Sequence, residues 1–255
     1  MVTPEVLTAK GVWEGLVEKN PWLKTSKLVA KPDQMIGGRG NAGLLAVNKD
    51  FDQVKQWILD RMCKDSTVAG ITGQLTHFLI EPFVAHKQEE EYYICMQSHR
   101  YKDEIFFYHE GGVDVGDVDA KASKLAVPTG GDITAHMVKS ELLDKVPADK
   151  QEHLSQWIKT LWAVYKDLHF AYLEINPIAC LPDGKIVPLD LVAKVDETAS
   201  FLCAQKWGEL DWPSPFGRAA YPEEALIRDL DGKTGASLKL TVLNERGRVW
   251  TMVAG

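Results

Sequence analysis

Lys27-Leu-Val-Ala-Lys31, Pro32-Asp-Gln-Met-Ile36, Gly37-Gly-Arg-Gly-Asn-Ala-Gly43 and Leu44-Leu-Ala-Val47 follow one another without a break. Residues 27–31 are predicted to form a short strand, and residues 44–47 prefer a strand again. Gly38, Gly40 and Gly43 match GxGxxG. A dinucleotide fingerprint needs that motif to leave a strand and open a helix. Here a strand follows, so a dehydrogenase is kept only as an alternative that an NADH titration separates. The Gly-Lys-Ser/Thr of a Walker loop is absent. What remains is strand–glycine loop–strand, which can fold over a polyphosphate. Its glycines let backbone N–H groups approach oxygens, and Arg39 and Lys31 supply positive charge. The same pattern suits a surface loop with an ordinary Arg.

Working outward, Val12, Trp13, Leu16 and Val17 predict a helix over 10–18 that Asn20-Pro21 stops. Val54, Trp57, Ile58 and Met62 predict one over 52–62. The stretch 128–150 reads as loop with a short helix, and 151–169 as the most regular helix in the chain. Strands are predicted at 78–84, 92–96, 105–108, 172–181 and 185–195. A helix is predicted to open at Pro222, followed by a last hairpin from 238–243 and 248–253. Mixed strands and helices argue an α+β or α/β fold rather than a sandwich.

The hairpin 172–195 centres on Pro182-Asp183-Gly184. Asn176 and Asp190 each lie seven positions from Asp183, so they are predicted to face each other on adjacent strands. An amide oxygen and a carboxylate suit Mg²⁺ on phosphates; equally, Asn can end a strand before Pro177 and Asp can make a local turn. Glu174 shares a face with Asn176, and its burial demands a partner. Phe78-Leu-Ile-Glu-Pro-Phe-Val84 breaks at Pro82, leaving backbone groups able to read an adenine edge, with Glu89-Glu90-Glu91 nearby for ribose. An edge strand and a solvated acidic run explain the same residues. The seven histidines are scattered, and only His109 adjoins a glycine-rich segment.

The 255 residues carry a net charge of −7, which argues against a general nucleic-acid binder. Cys63, Cys95, Cys180 and Cys203 are far apart, so reduced, buried or half-buried thiols are expected rather than a zinc site. No secretory leader and no apolar run of membrane length is visible, so a cytoplasmic protein without membrane contact is expected.

Lys31-Pro-Asp-Gln34, Phe78–Val84, Glu110-Gly-Gly-Val-Asp-Val-Gly-Asp-Val-Asp119, Leu173-Glu-Ile-Asn-Pro177, Lys206-Trp-Gly208, Pro215-Phe-Gly-Arg218, Gly235-Ala-Ser-Leu-Lys-Leu240 and Val249-Trp-Thr-Met-Val-Ala-Gly255 occur in this order. Together they resemble the N-terminal part of the ATP-citrate lyase family. Gly37–Gly40 with Glu174–Pro177 also resembles succinyl-CoA synthetase β subunits. The resemblance implies an α+β (α/β) ATP-grasp fold, two lobes around a nucleotide cleft. It further implies an ATP-grasp domain over 1–237 without its opening strand and helix, and over 238–255 the first hairpin of a truncated CoA-ligase-like, citrate-binding domain.

It also implies roles. Lys31, Arg39 and the Gly40 backbone contact ATP phosphates; Pro82 and Val84 offer backbone groups to adenine; Glu91 binds ribose. Asn176 and Asp190 hold the nucleotide's Mg²⁺, and Asp231, Thr234 and Ala236 match a second metal stretch. The implied reaction is ATP-driven conversion of citrate and CoA to acetyl-CoA and oxaloacetate through a phosphohistidine. None of the histidines here matches that motif, so no catalytic residue is assigned, and oligomer contacts are expected in regions absent here. Asn41 stands where the family carries Lys, so one phosphate-facing charge is missing. The alternatives are a non-catalytic nucleotide-binding or interaction fragment and another acyl-CoA synthetase of the succinyl-CoA or citryl-CoA type.

Overall fold

In a computed structural model, Leu28–Pro32 (β1) lies centrally in a three-stranded antiparallel sheet, between Ala46–Lys49 (β2) and Phe78–Pro82 (β5). The hairpin Asp65–Val68 (β3) and Ile71–Gln74 (β4) stands beside it in sequence. The structure describes residues 1–8, 11–112, 118–208, 210, 216–217, 221–234 and 238–253. Two units emerge, Met1–Phe83 with Trp212–Gly255, and Val84–Asp211.

The first unit is organised as the sequence predicts, with the glycine loop joining two paired strands. Helix Val12–Lys19 ends where Asn20 donates both its backbone N–H and its Nδ2 to the Leu16 carbonyl (2.9 and 3.2 Å). Helix Phe51–Leu59 opens with a reciprocal cap. Asp50 Oδ1 accepts from the Gln53 amide (2.9 Å), and Gln53 Oε1 accepts from the Asp50 amide (3.1 Å). That satisfies two donors otherwise orphaned at a helix start. Asp50→Ala is therefore expected to cost about 1 kcal/mol, read as a lower urea midpoint. The helix buries Phe51, Val54 and Ile58 with Leu28 and Phe78. It stops short of Met62, which is drawn into a bridge with Leu75 while the Cys63 amide bonds to the Leu75 carbonyl.

The β3–β4 turn, Ala69-Gly70, has both residues at positive φ, the backbone a tight hairpin favours. Phe216 joins this core, and a Cβ on Gly73 would lie 2.6 Å from the Gly217 backbone, so the two segments approach as only glycines permit.

The second unit is built on an antiparallel sheet. Its strands are Glu91–Ser98 (β6), Lys102–Tyr108 (β7), Ser123–Pro128 (β8), Phe170–Cys180 (β9), Ile186–Pro188 (β10) and Leu191–Val195 (β11). The order is β10-β9-β6-β7-β8, and β11 also pairs with β9. Alternation divides β6: Tyr92, Ile94 and Met96 enter the main core, whereas Tyr93 and Cys95 face the other side with Phe106. Helices Ala135–Leu142 and Ala148–Asp167 supply Val138, Leu142, Leu154, Ile158, Trp162 and Tyr165 to that core. Burial pushes the Tyr165 phenol up to about 12, so it stays protonated beside Ser98 Oγ at 2.8 Å. Helix Ser200–Trp207 follows, with Cys203 buried.

Two expectations are corrected. Residues 238–253 pair in no strand, although the turn at Asn244 forms. Leu243, Val249, Trp250, Met252 and Val253 are all at least 85% exposed; a two-stranded hairpin needs a sheet or helix to cover its apolar face, and the described residues offer none. Cys63 is exposed, whereas Cys95, Cys180 and Cys203 are buried. Among the described residues no helix is long and apolar enough to cross a membrane.

Candidate functional site

The first unit brings Lys31 and Arg39 to the same end of β1. Lys31 pairs with Leu79 in register, so Glu81, two residues along the same face, reaches its ammonium at 2.9 Å. The Lys31 side chain is only 8% exposed. Arg39 is likewise buried and donates Nη1 to the Pro32 carbonyl at 2.6 Å. A charge this far from water needs partners, and both cations have them. The loop closes on itself through Ala42 N–H to Gly38 O, Gly43 N–H to Gly40 O and Leu44 N–H to Arg39 O. Gly38 and Gly43 have positive φ with open space around them, so backbone conformation rather than crowding requires glycine there. Asn41 is exposed on this turn, and Pro82 is exposed at the end of β5.

The second unit carries the other predicted residues. The acidic run splits into three environments. Glu89 is exposed; Glu90 is buried and accepts from the Lys87 amide at 2.9 Å; Glu91 is 14% exposed and meets His86 Nε2 at 2.8 Å. His86 Nδ1 in turn meets the Val84 carbonyl at 2.7 Å. Gln88 Nε2 donates to Glu91 Oε2 (3.0 Å) and to the Gly111 carbonyl (2.9 Å), and the Gly112 amide donates to Asn176 Oδ1 (2.8 Å). Val84, Glu91 and Asn176 therefore sit along one hydrogen-bonded chain.

Asn176 and Asp190 face each other as their spacing predicts. The Asn176 amide donates to the Asp190 carbonyl at 3.1 Å, and the Leu189 amide to the Pro177 carbonyl at 3.0 Å. The return strand is not continuous, however. It divides into β10 and β11 around Leu189-Asp190, and the Asp190 carboxylate accepts from the Leu191 amide (3.1 Å). Glu174 has the partner its half-burial demands: Tyr172 donates its hydroxyl to Glu174 Oε2 at 2.5 Å. Desolvation, then the Glu174 acceptor, hold the Tyr172 phenol far above its ordinary value, so it remains a donor. Tyr172→Phe is expected to cost about 1 kcal/mol of stability, measured by urea denaturation.

Asn176 and Asp190 are joined through their backbones, and the donor types they bring, an amide oxygen and a carboxylate, suit Mg²⁺, which takes few protein oxygens and keeps waters or phosphate oxygens for the rest. Asn176 Oδ1 has a second lone pair besides the one facing Gly112. In the first unit, Asp231 accepts from the Leu238 amide (2.6 Å) and pairs with Lys239 (3.3 Å). Ala236 lies outside the described residues, as does the Thr234 side chain. His109 contacts Glu110 and the Tyr108 ring. The histidine within the predicted site is instead His86, which spacing alone did not single out; its signal is its place between Val84 and Glu91.

The glycine loop between paired strands and the helix-covered antiparallel sheet make a mixed α/β protein, and its family is that of an ATP-grasp domain. The family model for the ATP-citrate synthase ATP-grasp domain matches residues 3–207, and that for ATP citrate lyase citrate-binding matches residues 218–255. The chain belongs to the ATP-citrate synthase ATP-grasp family. It is 54% identical to human ATP-citrate synthase over 95% of this chain and 22% of that protein. It is 45% identical to the probable ATP-citrate synthase subunit 2 of Schizosaccharomyces pombe, over 96% of this chain and 56% of that one. The solved ATP citrate lyase of Methanothrix soehngenii, in complex with citrate and coenzyme A, superposes with a TM-score of 0.79 at 44% identity, covering 95% of this chain and 56% of that one. The chain thus spans between about a fifth and just over half of these relatives.

Proposed function

We propose that this chain is the ATP-binding part of an enzyme that converts citrate and CoA to acetyl-CoA and oxaloacetate at the expense of Mg·ATP, in the cytosol. The observation that carries the reading is the pairing of Asn176 with Asp190 in a chain of this family. Lys31, Arg39 and the Gly40 backbone bind the phosphates. Pro82 and Val84 read adenine, and Glu91 takes the ribose hydroxyls. Asn176 and Asp190 hold Mg²⁺, which neutralises charge on the phosphate oxygens when bound. Asp231, with Thr234 and Ala236, is the candidate for a second metal.

Phosphoryl transfer asks mainly for positioning and charge neutralisation, and these residues supply that. Lys31 is held straight by Glu81, and Arg39 by the Pro32 carbonyl, so little side-chain freedom is left to lose on binding. The residues named here serve the ATP step, and the steps with citrate and CoA are not assigned to them. Titration of the chain with ATP and with NADH in Mg²⁺ tests the reading. ATP binding with no NADH binding is expected; NADH binding, or no ATP binding, contradicts it.

A further inference from the structure

The His86 ring touches two groups to which the proposed function gives separate tasks. Its Nδ1 lies 2.7 Å from the carbonyl of Val84, on the adenine-reading segment. Its Nε2 lies 2.8 Å from Oε1 of Glu91, the ribose carboxylate. The ring and the carboxylate are 15% and 14% exposed, so neither contact is a loose surface pair. A carbonyl only accepts, which places a proton on Nδ1.

We propose that His86 is a positioning residue that locks the adenine-reading segment and the ribose carboxylate into one geometry, so that base and sugar are recognised together. The inference rests on the ATP reading above. On the ATP reading, Val84 offers its amide N–H to the base and Pro82 its carbonyl, and the ring holds the Val84 carbonyl beside Glu91. A donor and an acceptor in that order match the N1 and N6 edge of adenine and oppose the same edge of guanine.

Glu91 is fixed from further directions. Gln88 holds its Oε2 and ties it to the Gly111 carbonyl. A Cβ on Gly112, whose φ is +95°, would come within 2.5 Å of that same oxygen. Glycine at 112 therefore gives the carboxylate its place, and the Gly112 amide carries the chain of contacts on to Asn176. A carboxylate with both oxygens oriented before the nucleotide arrives has less freedom to lose on binding.

Two conservative variants separate the two contacts. Asparagine carries an amide nitrogen near the position of Nδ1, and glutamine near that of Nε2. His86→Asn thus keeps the donor to Val84 and releases Glu91, and His86→Gln does the reverse. Affinities for ATP, GTP and 2′,3′-dideoxy-ATP are measured on the whole chain. In His86→Asn the preference for ATP over dideoxy-ATP is expected to fall about tenfold while the preference over GTP holds. In His86→Gln the preference over GTP is expected to fall about tenfold while the preference over dideoxy-ATP holds.

A purely structural His86 would lower all three affinities together and leave both ratios unchanged, and that result overturns the inference alone. A wild-type chain that does not bind ATP overturns both the inference and the reading on which it rests. Should either His86 variant lose the fold, Gln88→Leu reads the same carboxylate from its other oxygen. A fall in the preference over dideoxy-ATP supports the lock, and an unchanged ratio overturns it.

Discussion

Lys31→Ala is expected to weaken ATP binding about 10- to 150-fold, the equivalent of losing a charged hydrogen bond worth about 1.5–3 kcal/mol. The ammonium is 8% exposed and sits 2.9 Å from Glu81, so it is oriented before any phosphate arrives. Its removal leaves Glu81, which is more than a third exposed and can be solvated. The fold should therefore survive with a small loss of stability, and the affinity change should dominate. Isothermal titration with Mg·ATP reads the effect, and a urea midpoint on the same preparation separates it from unfolding. Lys31→Ala binding ATP as tightly as the wild type removes Lys31 from the phosphate site.

The second large effect is expected at Asp190. Asp190→Asn keeps the backbone bond to Asn176 and an oxygen for the Leu191 amide, because the change is isosteric at the side chain. It removes one negative charge from the pair that would hold Mg²⁺. In the wild type, Mg²⁺ is expected to raise ATP affinity relative to EDTA. In Asp190→Asn that gain is expected to shrink by about tenfold or more, roughly 1.4 kcal/mol, while affinity in EDTA stays close to that of the wild type. An equal magnesium dependence in the two proteins excludes Asp190 from the metal site.

What could be read from the amino-acid order, and what could not, follows from how local each signal is. The strand–loop–strand over 27–47 was legible because strand preference on both sides of the glycines excludes a helix. The facing of Asn176 and Asp190 was legible because Asp183-Gly184 marks the centre of the turn; Gly184 has φ +85° and the register runs from Cys180↔Ile186 to Leu191↔Ile175. Alternation alone cannot show that the return strand breaks at Leu189-Asp190. The β3–β4 hairpin was missed because Asp65-Ser-Thr and Thr72-Gly-Gln are polar and short, and its cue is the Ala69-Gly70 turn. Residues 238–253 were over-read for the opposite reason. Their apolar pattern is that of a strand, yet pattern carries no information about whether a sheet lies beside it. His86 was invisible because its significance is a matter of its two neighbours at 2.7 and 2.8 Å, not of its spacing.

Hydrogen exchange of the whole chain, with and without saturating Mg·ATP, tests most directly whether these segments hold the nucleotide. Protection is expected over 31–44, 82–91 and 174–191, with little change along the exposed side of helix Ala148–Asp167. Saturable ATP binding that protects none of these three segments, or protects that helix in their place, would contradict the account.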